Sequence, residues 1–166
     1  LPATDSDTSV ERKPSNVICK GKETVLLVDD EEHVIDVTQK MLECIGYEVI
    51  KASSGMEAIE IVRKSVKNRD KKIDLLILDM IMPEMGGGLT FDRIKEINPD
   101  LKVILSSGYS IKGEARKIME RGCDGFIQKP FKIAALSKKI KEVLKEEYLK
   151  KHTREMSLDD FSVCLN

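Results

Sequence analysis

No apolar run in the chain approaches the length of a membrane span, and the first residues, LPATDSDTSV, lack the basic start and apolar centre of a signal peptide. No membrane contact is therefore expected. Four cysteines, Cys19, Cys44, Cys123 and Cys164, form no C-x-x-C pair and have no histidine beside them to complete a metal site. They read as reduced thiols, and the expected location is cytoplasmic. Histidine is scarce: His33 reads as a surface residue at the start of a helix, and His152 as part of a solvated tail. No charge of one sign dominates, with 28 basic against 29 acidic residues and a net charge of -1. That balance argues against a generic nucleic-acid or anionic-membrane surface, so any partner must be recognised locally. An initiating Met is also missing, which reads as a piece of a longer protein.

What the chain does have is enough apolar residue for one core. At 166 residues and 41% hydrophobic, it predicts one domain with tails. Residues 1–21 are rich in Ser, Thr, Pro and charge and read as a linker following an upstream domain; residues 22–148 read as the folded domain, and 149–166 as a C-terminal tail. Within the domain, apolar runs Val25 to Val28, Ile73 to Leu78, Leu101 to Leu105 and Gly125 to Gln128 read as strands, with Tyr47 to Ala52 as another. Helical spacing connects them. Val34, Val37, Thr38, Met41 and Ile45 mark the first helix, closed by Gly46, and Ser54 with Glu57 predicts a capping box for the second. Gly86 to Gly88 lead into a helix with Phe91, Ile94 and Ile97, Lys112 to Arg121 reads as the fourth, and Lys132 to Tyr148 as the fifth. Five continuously apolar strands alternating with helices predict a doubly wound α/β domain, a parallel sheet covered on both faces.

In such sheets chemistry gathers beyond the carboxyl ends of the strands. There stand Asp29-Asp30-Glu31-Glu32 after the first strand, Asp79 after the third, Ser106-Ser107-Gly108 after the fourth and Lys129-Pro130 after the fifth. Singly, each has a bland reading as a helix cap, turn residue or surface lysine. Jointly they place three carboxylates, a hydroxyl and an ammonium at one sheet edge. Clustered carboxylates repel unless a cation joins them, and oxygen-only donors suit a hard ion such as Mg²⁺ or Mn²⁺. A carboxylate beside such an ion can attack phosphorus, with lysine and serine supporting the transferred oxygens. Asp79 thus reads as a phosphoryl acceptor.

VLLVDDEE, LLILDMIMPEM, VILSSGYS and GFIQKPF, in this order and spacing, resemble the receiver domain of two-component response regulators over roughly Lys22 to Leu144. The resemblance implies the flavodoxin-like (CheY-like) strand order 2-1-3-4-5 and a phosphohistidine donor on a sensor histidine kinase or histidine phosphotransfer protein. It implies that Asp79 is phosphorylated, that Asp30, Asp79 and the Ile81 backbone carbonyl bind the metal directly, and that Asp29 does so through water. Lys129 would pair with Asp79 and then its phosphoryl group, Ser107 would be the switch hydroxyl, and Phe126 the aromatic switch. The Lys129-Pro130 bond resembles one that is cis in the family. The face of the fourth helix, fifth strand and fifth helix is the implied partner surface, including for a homodimer.

The same resemblance implies that the domain catalyses its own phosphotransfer and dephosphorylation, while no kinase site lies in this stretch. Leu1-Pro2-Ala3 resembles the end of a histidine kinase ATP-binding domain, making a hybrid sensor kinase the expected parent; a stand-alone regulator or a phosphorylation-independent interaction module are the alternatives. No helix-turn-helix pattern follows Leu144, so direct nucleic-acid binding is not expected. Met85-Gly86-Gly87-Gly88 stands where many relatives have Met-Asp-Gly, which predicts an unusually flexible start to the third helix. Ile81 and Tyr109 are bulky at two positions that influence access of hydrolytic water in the family. A flavodoxin is disfavoured because the acidic loop would repel a flavin phosphate, and a haloacid-dehalogenase-like phosphatase because Ile81 stands where its second aspartate belongs.

Overall fold

The computed structural model describes residues 21–68 and 71–145. Its strands are β1 (Thr24–Val28), β2 (Glu48–Ala52), β3 (Leu75–Asp79), β4 (Lys102–Ser107) and β5 (Gly125–Gln128). Its helices are α1 (Glu32–Cys44), α2 (Gly55–Lys67), α3 (Gly87–Ile97), α4 (Glu114–Glu120) and α5, helical over 133–145. Every strand pairing is parallel, and the sheet order is 2-1-3-4-5, the flavodoxin-like order. The expected linker before Gly21, the tail 149–166, Cys19, Cys164, His152 and the end of the last helix lie outside the described residues. No described helix is long and apolar enough to cross a membrane.

Alternation along the strands divides the core in two. Leu26, Val28, Leu76, Leu78, Val103 and Leu105 pack with Ala58, Val62, Phe91 and Ile94, so one face of the sheet is covered by α2 and α3 with Ile118 of α4. Val25, Leu27, Leu75, Ile77, Ile104 and Ile127 face the other way, onto Ile35 and Leu42 of α1 and Leu136 and Ile140 of α5. With both faces covered, the three central strands have no reason to alternate polar and apolar residues.

Several boundaries depart from the sequence expectation. In α1 the buried stripe is Ile35, Thr38 and Leu42, continued by Ile45, whereas Val37 is 52% exposed and Val34 and Met41 are only partly covered. The helix carries two adjacent apolar stripes, and the spacing picked out Thr38 and Ile45 from the buried one and Val34, Val37 and Met41 from the outer one. Gly46, at φ 95°, turns the chain after α1 as expected. The capping box of α2 is offset: Ser54 Oγ accepts from Glu57 N, but Glu57 answers to Ser53 N and Oγ rather than to Ser54. Helix α4 starts two residues later than expected, after Gly113 at φ 63°. Strand β3 starts later and ends on Asp79 itself, while β4 continues through both serines.

Candidate functional site

The ladder that ends the sheet also builds the site. Asp79 is the last residue of β3 and pairs in register with Ser106. Met80 N donates to Ser106 O at 2.9 Å, and Lys129 N donates to Ser107 O at 2.7 Å, so the segments after β3 and β5 are both pinned to the end of β4. On β1's side, Asp29 N donates to Ala52 O at 3.2 Å, and Asp29 Oδ1 accepts from Glu31 N at 3.0 Å. That turn fixes the carboxylate and starts α1 without a capping side chain on Glu31. The Lys129-Pro130 peptide is cis.

Asp29 and Asp79 are almost completely buried, at 2% and 5% exposure. Lys129 Nζ bridges them, donating to Asp29 Oδ2 at 2.6 Å and Asp79 Oδ1 at 2.8 Å. The other oxygen of Asp79, Oδ2, accepts from Ile81 N at 3.2 Å. Carboxylate oxygens of Asp29, Asp30 and Asp79 lie within 4.8 Å of one another, with Asp30 exposed. Burial lifts the Asp79 carboxyl above its ordinary range and outweighs the hydrogen bond from Lys129, while the nearby charge of Asp29 lifts it further. Burial alone would lower the Lys129 ammonium. Its hydrogen bonds to Asp29 and Asp79 more than offset this and hold it above its usual value.

Three carboxylates with one ammonium leave a surplus of negative charge around a space lined by oxygen. A hard divalent cation fits that donor set, and the exposed Asp30 leaves it open to water and to a phosphoryl group. The backbone of Ile81 lies beside this cluster through its bond to Asp79.

Ser107 is 1% exposed and its Oγ accepts from Tyr109 N at 3.1 Å. It lies on the α3 side of the sheet with Leu105, the side against which Phe126 packs, because Leu105 and Phe126 are register partners. The structure therefore brings Asp29, Asp30, Asp79 and Lys129 together, and sets Ser107 at the adjacent strand end with Phe126 two residues along the neighbouring strand. Ile81 and Tyr109 are exposed, at 54% and 69%, after β3 and β4 respectively.

Three features were not read from the sequence. Gly87 is required by proximity: a Cβ there would lie 2.5 Å from Asp79 O and 2.7 Å from Met80 Cα. Only the glycine run hinted at this. The outer stripe of α1 lines a groove of about 580 Å³ with Pro130 and Phe131, and Lys129 reaches into its wall. Last, Ser106 Oγ is buried without a hydrogen-bond partner among the described residues.

A five-stranded 2-1-3-4-5 parallel sheet with an acid cluster and a lysine at its carboxyl edge defines a CheY-like receiver architecture. The family described as "Response regulator receiver domain" matches residues 25–141, and the chain belongs to it. It is 35% identical over 127 residues to the sensor kinase CckA of Brucella abortus, covering 76% of this chain but 13% of that protein. It is 28% identical to the polar-differentiation response regulator DivK of Brucella ovis, covering 73% of this chain and 95% of that protein. A response regulator receiver domain structure from Clostridium thermocellum is similar with a TM-score of 0.69 at 31% identity, covering 76% of this chain and 98% of that one. Receiver domains generally bind Mg²⁺ at an acidic pocket and interact with histidine kinases or phosphotransfer proteins, and this chain has an acidic cluster of Asp29, Asp30 and Asp79.

Proposed function

We propose that this chain takes a phosphoryl group from a phosphohistidine onto Asp79 in a two-component phosphorelay. The observation that carries this is Lys129 Nζ held 2.8 Å from Asp79 Oδ1 and 2.6 Å from Asp29 Oδ2 at the lip of the sheet. Asp79 Oδ1 attacks phosphorus as the bond from phosphorus to the donor nitrogen breaks, and that nitrogen keeps the electron pair. With a proton on the other ring nitrogen of the phosphohistidine, the imidazole leaves neutral. Lys129 then follows the charge from the carboxylate to the phosphoryl oxygens, remaining anchored by Asp29, and Ser107 leaves Tyr109 N to bond the same group. Asp29, Asp30, Asp79 and the Ile81 carbonyl would hold Mg²⁺, or Mn²⁺, which offsets the negative charge that gathers when phosphate joins three carboxylates.

The groove between α1 and the Pro130-Phe131 turn is the docking surface for the donor. Its apolar wall of Val34, Val37 and Met41 leads to Lys129, so a helix seated there delivers a histidine to the acid cluster. On the output side, movement of Ser107 and Phe126 alters the face of α4, β5 and α5, which is the surface for downstream contacts, a homodimer among them. The whole protein is a hybrid sensor kinase carrying this receiver, a reading favoured by the likeness to CckA. The 95% coverage of DivK supports a stand-alone regulator as the second reading.

Intact-mass spectrometry after incubation with Mg²⁺ and acetyl phosphate tests the central claim. One phosphate on the wild type, and none on Asp79→Asn or with EDTA, is expected. A folded wild type that takes no phosphate refutes the reading in favour of a phosphorylation-independent interaction module.

A further inference from the structure

We propose that residues 158–165 of this chain occupy the groove between α1 and the Pro130-Phe131 turn, as a short amphipathic segment laid over Val34, Val37 and Met41. The seating itself does not depend on the phosphorelay; its consequence, a groove withheld from the phosphohistidine donor, rests on the donor docking proposed above. Val34, Val37 and Met41 stand at i, i+3 and i+7 on α1, and Val37 is 52% exposed. They form one wall of a groove of about 580 Å³. An exposed apolar wall of this kind marks a docking surface, and a helical stripe is matched by a second stripe of the same spacing.

The tail carries that stripe. Leu158, Phe161 and Leu165 repeat the i, i+3, i+7 spacing, and Ser157-Leu158-Asp159-Asp160 in front of them is a capping-box pattern with two acids where a helix would begin. Reach agrees. Helices α1 and α5 follow β1 and β5 and pack on the same face of the sheet, so both run from the acid-cluster edge back to the opposite one. Helix α5 makes that return over 133–145, roughly 20 Å. Residues 146–157 can span up to about 40 Å, enough to lead the motif back to the groove. Charge agrees too. Between 132 and 145 stand Lys132, Lys138, Lys139, Lys141 and Lys145 against Glu142 alone, whereas the tail brings Glu155, Asp159 and Asp160. Asp36, beside the α1 stripe, faces Lys51 at 3.7 Å, so the acids of the tail find their partners on α5.

Paramagnetic broadening in the whole 166-residue chain tests the seating. A nitroxide is placed on Cys164, with Cys19→Ser and Cys44→Ser to confine it there and Cys123 protected by burial. The amide resonances of Val34, Val37, Met41 and Phe131 should lose most of their intensity and regain it when the nitroxide is reduced. Phe161→Asp, and from the other side Val37→Asp at an exposed position, should each abolish the loss. Isotope-labelled chain without nitroxide, mixed with unlabelled chain carrying it, should keep full intensity. Undiminished resonances in the nitroxide-bearing chain, or a loss that survives both Asp variants, would overturn the inference. A loss that appears in the mixture would also overturn it, by putting the tail of a second copy in the groove. Broadening in a wild type that takes no phosphate from acetyl phosphate and Mg²⁺ would sustain the seating and remove only its role against a donor. Phosphate uptake without broadening would remove the seating alone.

Discussion

In the metal-free protein, the charge of Asp79 should work against folding, so Asp79→Asn should be stabilising. The ammonium of Lys129 at 2.8 Å attracts it by about 6 kcal/mol at an effective dielectric of about 20. Against this, the Asp29 carboxylate, with an oxygen no farther than 4.8 Å, repels it by at least about 3.5 kcal/mol on the same basis. Exposed Asp30 adds a smaller repulsion screened by water. The remaining attraction is about 2 kcal/mol, and desolvating a carboxylate that is 5% exposed costs several kcal/mol. The net sign is unfavourable, in agreement with the upward displacement of the Asp79 carboxyl.

Asparagine keeps the shape and removes the charge, and a gain of about 1–3 kcal/mol follows, the order of that desolvation cost less the lost attraction. Urea unfolding at pH 7 with EDTA measures it. A raised carboxyl contributes stability that is full below its unfolded value of about 3.9 and lost as pH rises through the folded value. The advantage of Asp79→Asn must therefore shrink as pH falls from neutrality into that window. Mg²⁺ should reverse the order, because at a hundredfold excess over its Kd a bound ion adds about 2.7 kcal/mol to wild type, and the variant has lost one of three carboxylates. An Asn variant less stable than wild type by more than about 1 kcal/mol in EDTA would refute the reasoning, since a loss of the order of a buried charge pair is what an attraction-dominated site predicts.

Lys129→Met leaves Asp29 and Asp79 facing each other unpaired, and should lower metal-free stability by about 3 kcal/mol, the low end for a broken buried pair because Lys129 keeps some exposure. The raised ammonium supplies stability that is full below its unfolded value of about 10.4 and lost only as pH rises through the still higher folded value, so the deficit in urea midpoint should be unchanged across neutral pH. Gly87→Ala forces a Cβ against Asp79 O and Met80 Cα and should cost about 1–3 kcal/mol, whereas Gly86→Ala, with nothing nearer than 3.8 Å, should stay within about 0.5 kcal/mol; equal midpoints for the two would remove the packing explanation. Ile81→Asn opens the exposed rim beside Asp79 to water, and mass spectrometry should find the phosphate lost sooner; a lifetime no shorter than wild type would show that Ile81 does not shield it. Peptide mapping after thiol alkylation of the native protein should find Cys44 modified and Cys123 protected, because burial both covers the Cys123 thiol and raises its pKa.

The acid cluster and lysine were legible because a parallel sheet turns sequence order into spatial convergence. Asp29 and Lys129 are 100 residues apart in the chain, and Asp79 is 50 from Lys129, yet each stands at the carboxyl end of a strand and all strands point the same way. What spacing could not give was anything decided by a neighbour. Ser106 and Ser107 have weak strand preference, and β4 extends through them because Met80 N and Lys129 N take their carbonyls. In α1, Val34, Val37 and Met41 are as apolar as the residues of the buried stripe; the limited width of the core decides which stripe it covers, leaving the other to the groove. Gly87 carries no signal of its own, since its need for a missing Cβ arises from the Asp79-Met80 backbone passing beside it.

The two sides of the sheet explain how an event at Asp79 can be felt elsewhere. Asp79 continues the face packed on α1 and α5, whereas Ser107 and Phe126 share the opposite one. The bond from Lys129 N to Ser107 O joins the lysine's backbone to the serine's at the point where the faces meet. On the proposed reading, Lys129 is released from Asp79 Oδ1 as charge passes to the phosphoryl group, and Ser107 exchanges Tyr109 N for that group. Both changes act on the same pair of strand ends, so neither can complete without adjusting the other. Removing the hydroxyl with Ser107→Ala should then leave phosphate uptake measurable while uncoupling it from the Phe126 side. The Phe126 ring resonances followed by NMR should move on phosphorylation of wild type and stay in place in the variant. An equal movement in both would mean that Lys129 alone carries the signal through the peptide hydrogen bond.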